Sequence, residues 1–315
     1  MDSRINEEHI STPVNSPLPD IPLNTTSTDD DVLYAHLNPT LRADAALPAA
    51  VRMELIKHGG VIEHKAYRTA MDYAHWLLTQ PLGVAPMGML VTGEPGAGKS
   101  TVGNELVRIG QGRVLMFQAG GARNMRDIYG RIIEALEGLV SKNARTSDRQ
   151  HTVFRLFRAM NIRGLVADEI QDVKDGTQRE HQQVLTSLKM IMNEAKVALI
   201  CLGTPESDQA LRIDKHLKAR LRPFRLPQWQ ANQDLVDLLG VLETSLPLRR
   251  PSELRNEQVL NYLAEVSEGS LREIMSRIKC AGVRAILSGE ERLDLAGLKA
   301  AEDPPPRPQG LESLR

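Results

Sequence analysis

A glycine-rich stretch at residues 93–101, GEPGAGKST, has the residue types and spacing needed to hold phosphate groups. It follows a short apolar run and precedes a helical pattern, which is the context of the G-x-x-x-x-G-K-S phosphate loop. Glycines let successive backbone N–H groups curve around a phosphate, and the following helix adds the positive end of its dipole. The predicted nucleotide-binding residues are Gly93, Glu94, Pro95, Gly96, Ala97, Gly98, Lys99, Ser100 and Thr101.

Four polar side chains in and beyond this stretch could carry phosphate chemistry. Lys99 is predicted to reach the β- and γ-phosphates, and the Ser100 hydroxyl to complete the shell of a Mg²⁺ ion. Another apolar run, LVADE, ends in two acids. Asp168 is suited to hold Mg²⁺ through water, and Glu169 to activate the attacking water as a general base. The predicted cofactors are therefore ATP and Mg²⁺, and the acid pair favours a hydrolysing ATPase over a Ras-like GTPase.

The elements that must position these residues follow an alternating pattern. Helical periodicity fills the intervals between short apolar runs, which predicts a mostly parallel sheet covered on both faces. Beyond about residue 230 the sequence indicates helices alone. The predicted fold class is α/β, a P-loop core with a parallel sheet flanked by helices and followed by a small helical lid. The predicted strands are MGMLVTG (87–93), RVLMFQA (113–119), RGLVADE (163–169), VALICLG (197–203) and, less clearly, FRLPQW (224–229).

Composition predicts four segments along the chain. Residues 1–45 are rich in Pro, Ser, Thr, Asn and Asp and are predicted to form a flexible arm. Residues 46–229 are predicted to form the α/β nucleotide-binding core, and residues 230–301 the helical lid. Residues 302–315 begin with a glutamate, an aspartate and three prolines, which predicts a disordered tail.

Bulk properties narrow the class of protein. The 315-residue chain has a formal net charge of −1, so any DNA contact must come from a local basic patch. No apolar run approaches the roughly 20 residues of a membrane helix, and the first residues lack the features of a signal peptide, which predicts a cytoplasmic location. Cys201 and Cys280 lie in apolar stretches and are predicted to be buried.

Two features after the fourth predicted strand are open to more than one interpretation. Thr204 follows that strand, and because parallel strands point their carboxyl ends at the ligand crevice, it could orient water or sense a γ-phosphate. The stretch KARLRPFRLP at residues 218–227 contains four cations. Locally it could grip nucleic acid, form a solvated face or stabilise a phosphate held by another molecule.

The order of these features resembles the AAA+ ATPases, and its finer pattern is similar to the TniB/TnsC type of transposition ATPase. After the acidic strand end come a helix ending in Asn-Glu, the strand end GTPE, LKAR (217–220) in the place of L-x-x-R, and LPQW in the place of LP-x-W. The likeness covers about residues 50–300. One departure is Gln171, which stands where this family leads us to expect histidine.

The resemblance implies an ATP-dependent, DNA-binding regulator of transposition. Such proteins assemble head to tail on target DNA, as a ring or a helical filament, and pass the target to a DDE transposase, often with a separate recruitment protein. The resemblance also implies roles for single residues. Thr204 matches a first sensor of the γ-phosphate, and Arg272, in the lid, matches a second.

The same resemblance suggests a role for KARLRPFRLP. Arg220 matches a cation that reaches the γ-phosphate held by the next protomer, with Arg222 as the next candidate and Arg225 as a structural residue. Val61, Ile62 and His64 lie where the family's adenine pocket begins.

DNA contacts are predicted without any recognised DNA-binding motif. Aromatic residues are 3% of the chain, so we expect contacts with the double-stranded DNA backbone that are weakly sequence-selective and strongly salt-dependent. In assemblies of such ATPases the pore loops follow the second strand and the next helix. The cations predicted to contact DNA there are Arg123, Arg126, Lys142, Arg145 and Arg149.

Two other functions fit the same residues. One is a nucleotide-gated DNA scaffold that assembles on ATP binding and turns over little. The other is a different AAA+ machine, such as a replication loader or a secretion ATPase, although the lack of a membrane segment argues against the latter.

Overall fold

The protein is described here by a computed structural model, which covers residues 33–81, 87–139, 141 and 143–301. The main elements are α1 (Ala49–His58), α2 (Lys65–Thr79), β1 (Gly88–Thr92), α3 (Lys99–Gly110), β2 (Val114–Gln118), α4 (Met125–Ala135), α5 (Thr146–Ala159), β3 (Gly164–Asp168), α6 (Gln178–Ala195), β4 (Ala198–Gly203), β5 (Leu221–Arg225), α7 (Gln233–Ser245), α8 (Glu257–Val266), α9 (Leu271–Ser288) and α10 (Leu295–Ala300). Short helical segments occupy Pro39–Leu41, Arg42–Ala46, Ile170–Asp175, Ser207–Ala210, Leu211–Ile213 and Lys215–Lys218.

The five strands form one parallel sheet in the order β2-β3-β4-β1-β5, which confirms the predicted α/β fold class. The register places Thr92 beside both Gly203 and Arg225, and Gln118 beside Asp168. The carboxyl ends of all five strands therefore meet along one edge of the sheet. The phosphate-loop sequence begins at this edge, directly after β1.

Two apolar layers cover the sheet. Helices α4, α5 and α6 pack on one face, while α2 and α3 pack on the other. Successive residues of β3 alternate between these layers, since Leu165 belongs to the first cluster and Val166 to the second. This alternation is the normal consequence of strand geometry, and it explains why a strand buried on both faces is apolar throughout.

The C-terminal helices α7 to α10 share a separate apolar cluster, which also contains Ile56 of α1. Helix α1 packs closely on α9, because a Cβ atom at Gly282 would lie 3.2 Å from Cδ1 of Ile56. Residues 46–58, predicted to belong to the α/β core, thus pack against the C-terminal helices instead. The predicted boundary at residue 229 stays a prediction.

The last strand differs from the sequence prediction of 224–229. Residues Leu221–Arg225 pair with Gly88–Thr92, so the strand begins three residues earlier and includes Pro223. Proline is tolerated there because β5 is an edge strand and need not donate every ladder hydrogen bond. Arg222 and Arg225 consequently lie on the strand itself, and Arg220 lies immediately before it.

The predicted flexible arm extends too far along the chain. Tyr34, Leu37 and Ala45 are buried together, and the backbone N–H of Asn38 donates to the carbonyl of Thr244 at 2.9 Å. These contacts hold residues 33–45 against the C-terminal helices. The remaining part of the predicted arm, residues 1–32, and the predicted tail at 302–315 lie outside the described residues.

The cysteine prediction is right for one residue and wrong for the other. Cys201 is buried in β4, whereas Cys280 is exposed on α9. Cys280 lies on the solvent-facing side of this amphipathic helix, although its neighbours in the sequence are apolar. Across the described part of the chain, no helix is long and apolar enough to cross a membrane.

Candidate nucleotide site

The glycine-rich loop joins β1 to α3 and wraps the first turn of that helix. Gly96 has φ of 80° and Gly98 has φ of 98°, conformations that side-chain-bearing residues rarely adopt. The loop also lies close to the C-terminal helices. A Cβ atom at Gly96 would lie 2.3 Å from Oγ of Ser270, and the backbone N–H of Arg272 donates to the Gly96 carbonyl at 3.0 Å.

Lys99 is the buried cation of this loop. Its Nζ donates to the carbonyls of Gly93 at 2.8 Å and Glu94 at 3.0 Å. Burial lowers the pKa of Lys99, an effect that the carboxylates of Glu169, Asp168 and Glu94 only partly offset. Because the Lys99 ammonium already lies within the loop, a change of its side-chain rotamer is enough to bring it to phosphate oxygens bound there.

Asp168 faces the start of α3 from the end of β3. The Ser100 hydroxyl donates to Oδ2 of Asp168 at 3.5 Å, and the side-chain amide of Gln118 donates to the same oxygen at 3.5 Å. Burial raises the pKa of Asp168, while the backbone N–H of Glu169, 2.9 Å from Oδ1, acts in the opposite direction.

A hydroxyl and a carboxylate at this separation fit Mg²⁺, which binds oxygen and keeps several waters. Within the described ranges there is no cluster of three or more His, Cys, Asp or Glu residues that could hold a metal unaided. A metal held by Ser100 and Asp168 would therefore depend on phosphate oxygens and water for the rest of its shell.

Glu169 and Thr204 are brought together by a residue whose sequence indicated no role. Glu169 has φ of 53°, in the left-handed region, and its carboxylate accepts a hydrogen bond from the side-chain amide of Gln171. The oxygen of the same amide accepts from the backbone N–H of Thr204 at 3.0 Å. The Thr204 hydroxyl donates to the carboxylate of Glu206.

One cavity of about 970 Å³ gathers most of the predicted site. Its walls include the phosphate loop from Pro95 to Thr101, Glu169, Thr204 and Arg272. The lining also includes apolar side chains such as Ile62 and Met275, together with His64, which suit a flat heterocyclic base. Val61, Ile62 and His64 were predicted there from the resemblance. The described lining residues that sequence reasoning missed include Tyr67, Gln171, Leu226, Met275 and Lys279.

The His64 side chain lines this cavity and is uncharged at neutral pH. Burial, with a further contribution from the charge of Arg68, lowers the pKa of His64 to about 4. Its Nδ1 accepts from the backbone N–H of Tyr67 at 3.3 Å, and its ring meets Trp229 edge to face with 5.1 Å between centroids. The ring is fixed at the start of α2 by these contacts.

The three arginines at β5 do not belong to this cavity, whose described lining includes none of them. The Arg220 guanidinium donates to Oδ1 of Asn193, near the end of α6. The Arg222 guanidinium lies over the Tyr73 ring, 4.8 Å from its centroid. Arg225 lines a second cavity, which shares Ile62 and His64 with the first.

The predicted DNA-contacting cations have different environments. Arg123, Arg126 and Arg145 are exposed, at or before the first turns of α4 and α5. Arg149 is half-buried, since Nη1 lies 2.7 Å from the position that a Cβ would take at Gly130 on α4. Lys142 lies outside the described residues.

The fold is similar to those of several solved structures. ORC2 of Aeropyrum pernix, described with ADPNP and ADP complexes, has a TM-score of 0.57 at 15% identity, over 79% of this chain and 70% of that chain. ORC1 of the same organism, described in complex with DNA, has a TM-score of 0.53 at 17% identity, over 75% and 63%. Cdc6p of Pyrobaculum aerophilum has a TM-score of 0.53 at 16% identity, over 75% and 67%.

The sheet order, phosphate loop and C-terminal helices define a P-loop ATPase fold of the AAA+ class. The sequence matches the family described as bacterial TniB protein over residues 52–231, and the chain belongs to that family of transposition-associated ATPases. No curated protein sequence matches the chain.

Proposed function

We propose that this protein is an ATP-dependent regulator of DNA transposition that oligomerises on target DNA and recruits and activates a DDE transposase. A single arrangement carries the proposal: in a chain of the TniB family, the phosphate loop, Glu169 and the lid residue Arg272 line one cavity, and Asp168 is hydrogen-bonded to the lining residue Ser100. ATP-dependent control of a transposase is the function that best fits both the site and the family.

In this proposal ATP and Mg²⁺ occupy the cavity. Backbone N–H groups of the loop and Lys99 bind the phosphates, and Ser100 and Asp168 hold the metal, which neutralises charge on the phosphate oxygens. Glu169 accepts the proton of the attacking water. Thr204 and Arg272 contact the γ-phosphate, so that hydrolysis changes the contact between the loop and the lid.

ATP hydrolysis measured with and without duplex DNA tests this function. We expect Mg²⁺-dependent hydrolysis that duplex DNA stimulates, because assembly on DNA brings a neighbour's arginine to each site. The Lys99→Ala variant should lack it. Wild-type protein that neither binds nor hydrolyses ATP, with or without DNA, would reject the proposal.

Arg220 is proposed to act on the site of a neighbouring protomer. Its guanidinium is held by Asn193 and lies away from its own cavity, which suits a cation that serves another molecule. We expect Arg220→Ala and Lys99→Ala proteins to be inactive separately, whereas mixing them should restore part of the ATPase activity. Restored sites would combine the phosphate loop of one variant with the arginine of the other.

A matched control for this mixing uses the Lys99→Ala/Arg220→Ala double variant in place of Lys99→Ala, which should restore nothing. Activity that stays absent in the first mixture, although the two variants are found together in one assembly, would exclude Arg220. The same mixture made with Arg222→Ala then tests the next candidate.

DNA binding is proposed to use exposed cations beside α4 and α5. A similar fold, that of the archaeal ORC1 protein, is described in complex with DNA, and Arg123 and Arg145 are exposed here. Contacts with phosphates release counterions, so each lost contact lowers the salt slope of binding by about 0.9. We expect Arg123→Ala/Arg145→Ala to weaken DNA binding and flatten the plot of log K against log salt.

Arg158→Ala is the control for this measurement, since Arg158 is exposed at the opposite end of α5 from Arg145. Its salt slope should equal that of the wild type. An unchanged slope in the double variant would discard the assignment of Arg123 and Arg145.

A further inference from the structure

Among the described residues, Gln171 is the only one whose side chain is hydrogen-bonded both to Glu169 and to the backbone at the end of β4. It lies in the short helix Ile170–Asp175 and is 8% exposed. Its amide nitrogen donates to Oε2 of Glu169, and its amide oxygen accepts from the backbone N–H of Thr204 at 3.0 Å and the Ser207 hydroxyl at 3.5 Å.

The orientation of this amide follows from its partners. A backbone N–H can only donate, so the group facing Thr204 must be the oxygen. The amide –NH₂ is thereby left to face a carboxylate, which can only accept when ionised. Both hydrogen bonds therefore need the same amide orientation, and a 180° flip of the amide would break both of them.

The end of β4 approaches Gln171 with no spare room. A Cβ atom at Gly203 would lie 2.4 Å from the Gln171 amide oxygen and 2.1 Å from Oγ of Ser207. A glycine at this position therefore lets the strand end pack directly on the amide. A shift of the Thr204 backbone, directly after β4, would therefore be felt by the amide oxygen that its N–H binds.

We propose that Gln171 is a positioning residue that links the γ-phosphate contact at Thr204 to the placement of the Glu169 carboxylate. The proposal rests on the proposed ATPase function. The amide of Gln171 holds the Glu169 carboxylate, and the Glu169 backbone lies in the left-handed region, which surrounding contacts must stabilise. When Thr204 engages a γ-phosphate, Gln171 carries that displacement to the general base.

Replacing Gln171 by leucine removes both hydrogen bonds at nearly constant volume. We expect kcat for ATP hydrolysis to fall by about 10- to 100-fold, since a misplaced catalytic group of this kind costs that much. The Kd of ATP should stay near the wild-type value, because Gln171 makes no contact that the phosphate loop needs. Gln178→Leu, the same change at an exposed residue of α6, is the matched control and should leave both constants unchanged.

Two more variants separate positioning from a merely structural role. Histidine can offer one donor and one acceptor nitrogen, so Gln171→His should recover most of kcat. A Glu169→Gln/Gln171→Leu double variant should be no slower than Glu169→Gln alone, since the amide acts through that carboxylate. The proposal would be overturned if Gln171→Leu left kcat unchanged, or if it weakened ATP binding as much as it lowered kcat. It would also be overturned if Gln171→His recovered no activity, or if the losses of kcat in the double variant were fully additive.

A readout that needs no turnover distinguishes this inference from the proposed function. The side-chain amide resonance of Gln171, assigned in a ¹⁵N NMR spectrum by its loss in Gln171→Leu, should shift in Glu169→Ala protein without nucleotide. A wild-type protein that neither binds nor hydrolyses ATP would reject the proposed function while this shift still supports the link. A resonance indifferent to Glu169→Ala would overturn the link whether or not ATP is hydrolysed.

Discussion

The Glu169→Gln variant is expected to hydrolyse ATP about 10² to 10⁴ times more slowly than the wild type, which is the usual contribution of a general base. Glutamine keeps the shape of the side chain but cannot accept a proton from water. The phosphate loop, Lys99 and the Ser100–Asp168 pair are untouched, so ATP and Mg²⁺ should still bind. ATP-bound assemblies on DNA should therefore persist for much longer than those of the wild type.

The measurement is single-turnover hydrolysis together with the lifetime of DNA-bound complexes after excess ATP is removed. Glu265→Gln, the same substitution at an exposed residue of α8, is the control and should behave as the wild type. If Glu169→Gln changes neither the rate nor the lifetime, Glu169 is not the base. The protein would then fit the nucleotide-gated scaffold with little turnover.

The Arg52→Ala variant is expected to lose about 3–5 kcal/mol of unfolding free energy, the cost of breaking an ion pair that is largely removed from water. Arg52 is 1% exposed, and its guanidinium forms two bonds of 2.6 Å with the Glu291 carboxylate. It also donates to the carbonyls of Leu47 at 3.1 Å and Pro247 at 3.0 Å. One side chain thus fastens α1 to the C-terminal helices.

The neighbouring pair of Arg250 and Glu290 supplies the control. These side chains are 53% and 67% exposed and 3.8 Å apart, so Arg250→Ala should cost less than about 1 kcal/mol when both variants are unfolded in urea. Equal losses in the two variants would contradict the role assigned to Arg52.

The pH dependence of unfolding gives a second readout of the same pair. Burial acts to raise the pKa of Glu291, but hydrogen bonds and charge from Arg52 outweigh it and lower that pKa below its usual value of 4.5. A lowered carboxyl pKa stabilises the folded state above the unfolded value, and the contribution is lost as pH falls through the folded value. Arg52→Ala should lack this acid-sensitive part of the stability.

The phosphate loop and the acid pair could be predicted from sequence because their chemistry is local. The glycines, Lys99 and Ser100 are adjacent in the chain, and Asp168 and Glu169 end an apolar run that only a buried strand explains. The first four strands follow from the same reasoning. For these elements the local pattern and the tertiary environment favour the same structure.

The parts that sequence reasoning missed depend on contacts between distant segments. Strand β5 contains Pro223, which is acceptable only because the strand lies at the sheet edge. Arg52 is buried against a glutamate more than two hundred residues away in the chain. Gln171 gains its role because β3 and β4 end side by side, so the sequence marked it only as a departure from the histidine of the family.

Electron micrographs of the protein with ATP and duplex DNA test the central claim most directly, namely that an occupied phosphate-loop site drives assembly on DNA. We predict continuous filaments or closed rings on the duplex for the wild type with ATP. Lys99→Ala protein under the same conditions should remain dispersed. Dispersed wild-type monomers with ATP, or identical assemblies in the Lys99→Ala variant, would contradict the claim.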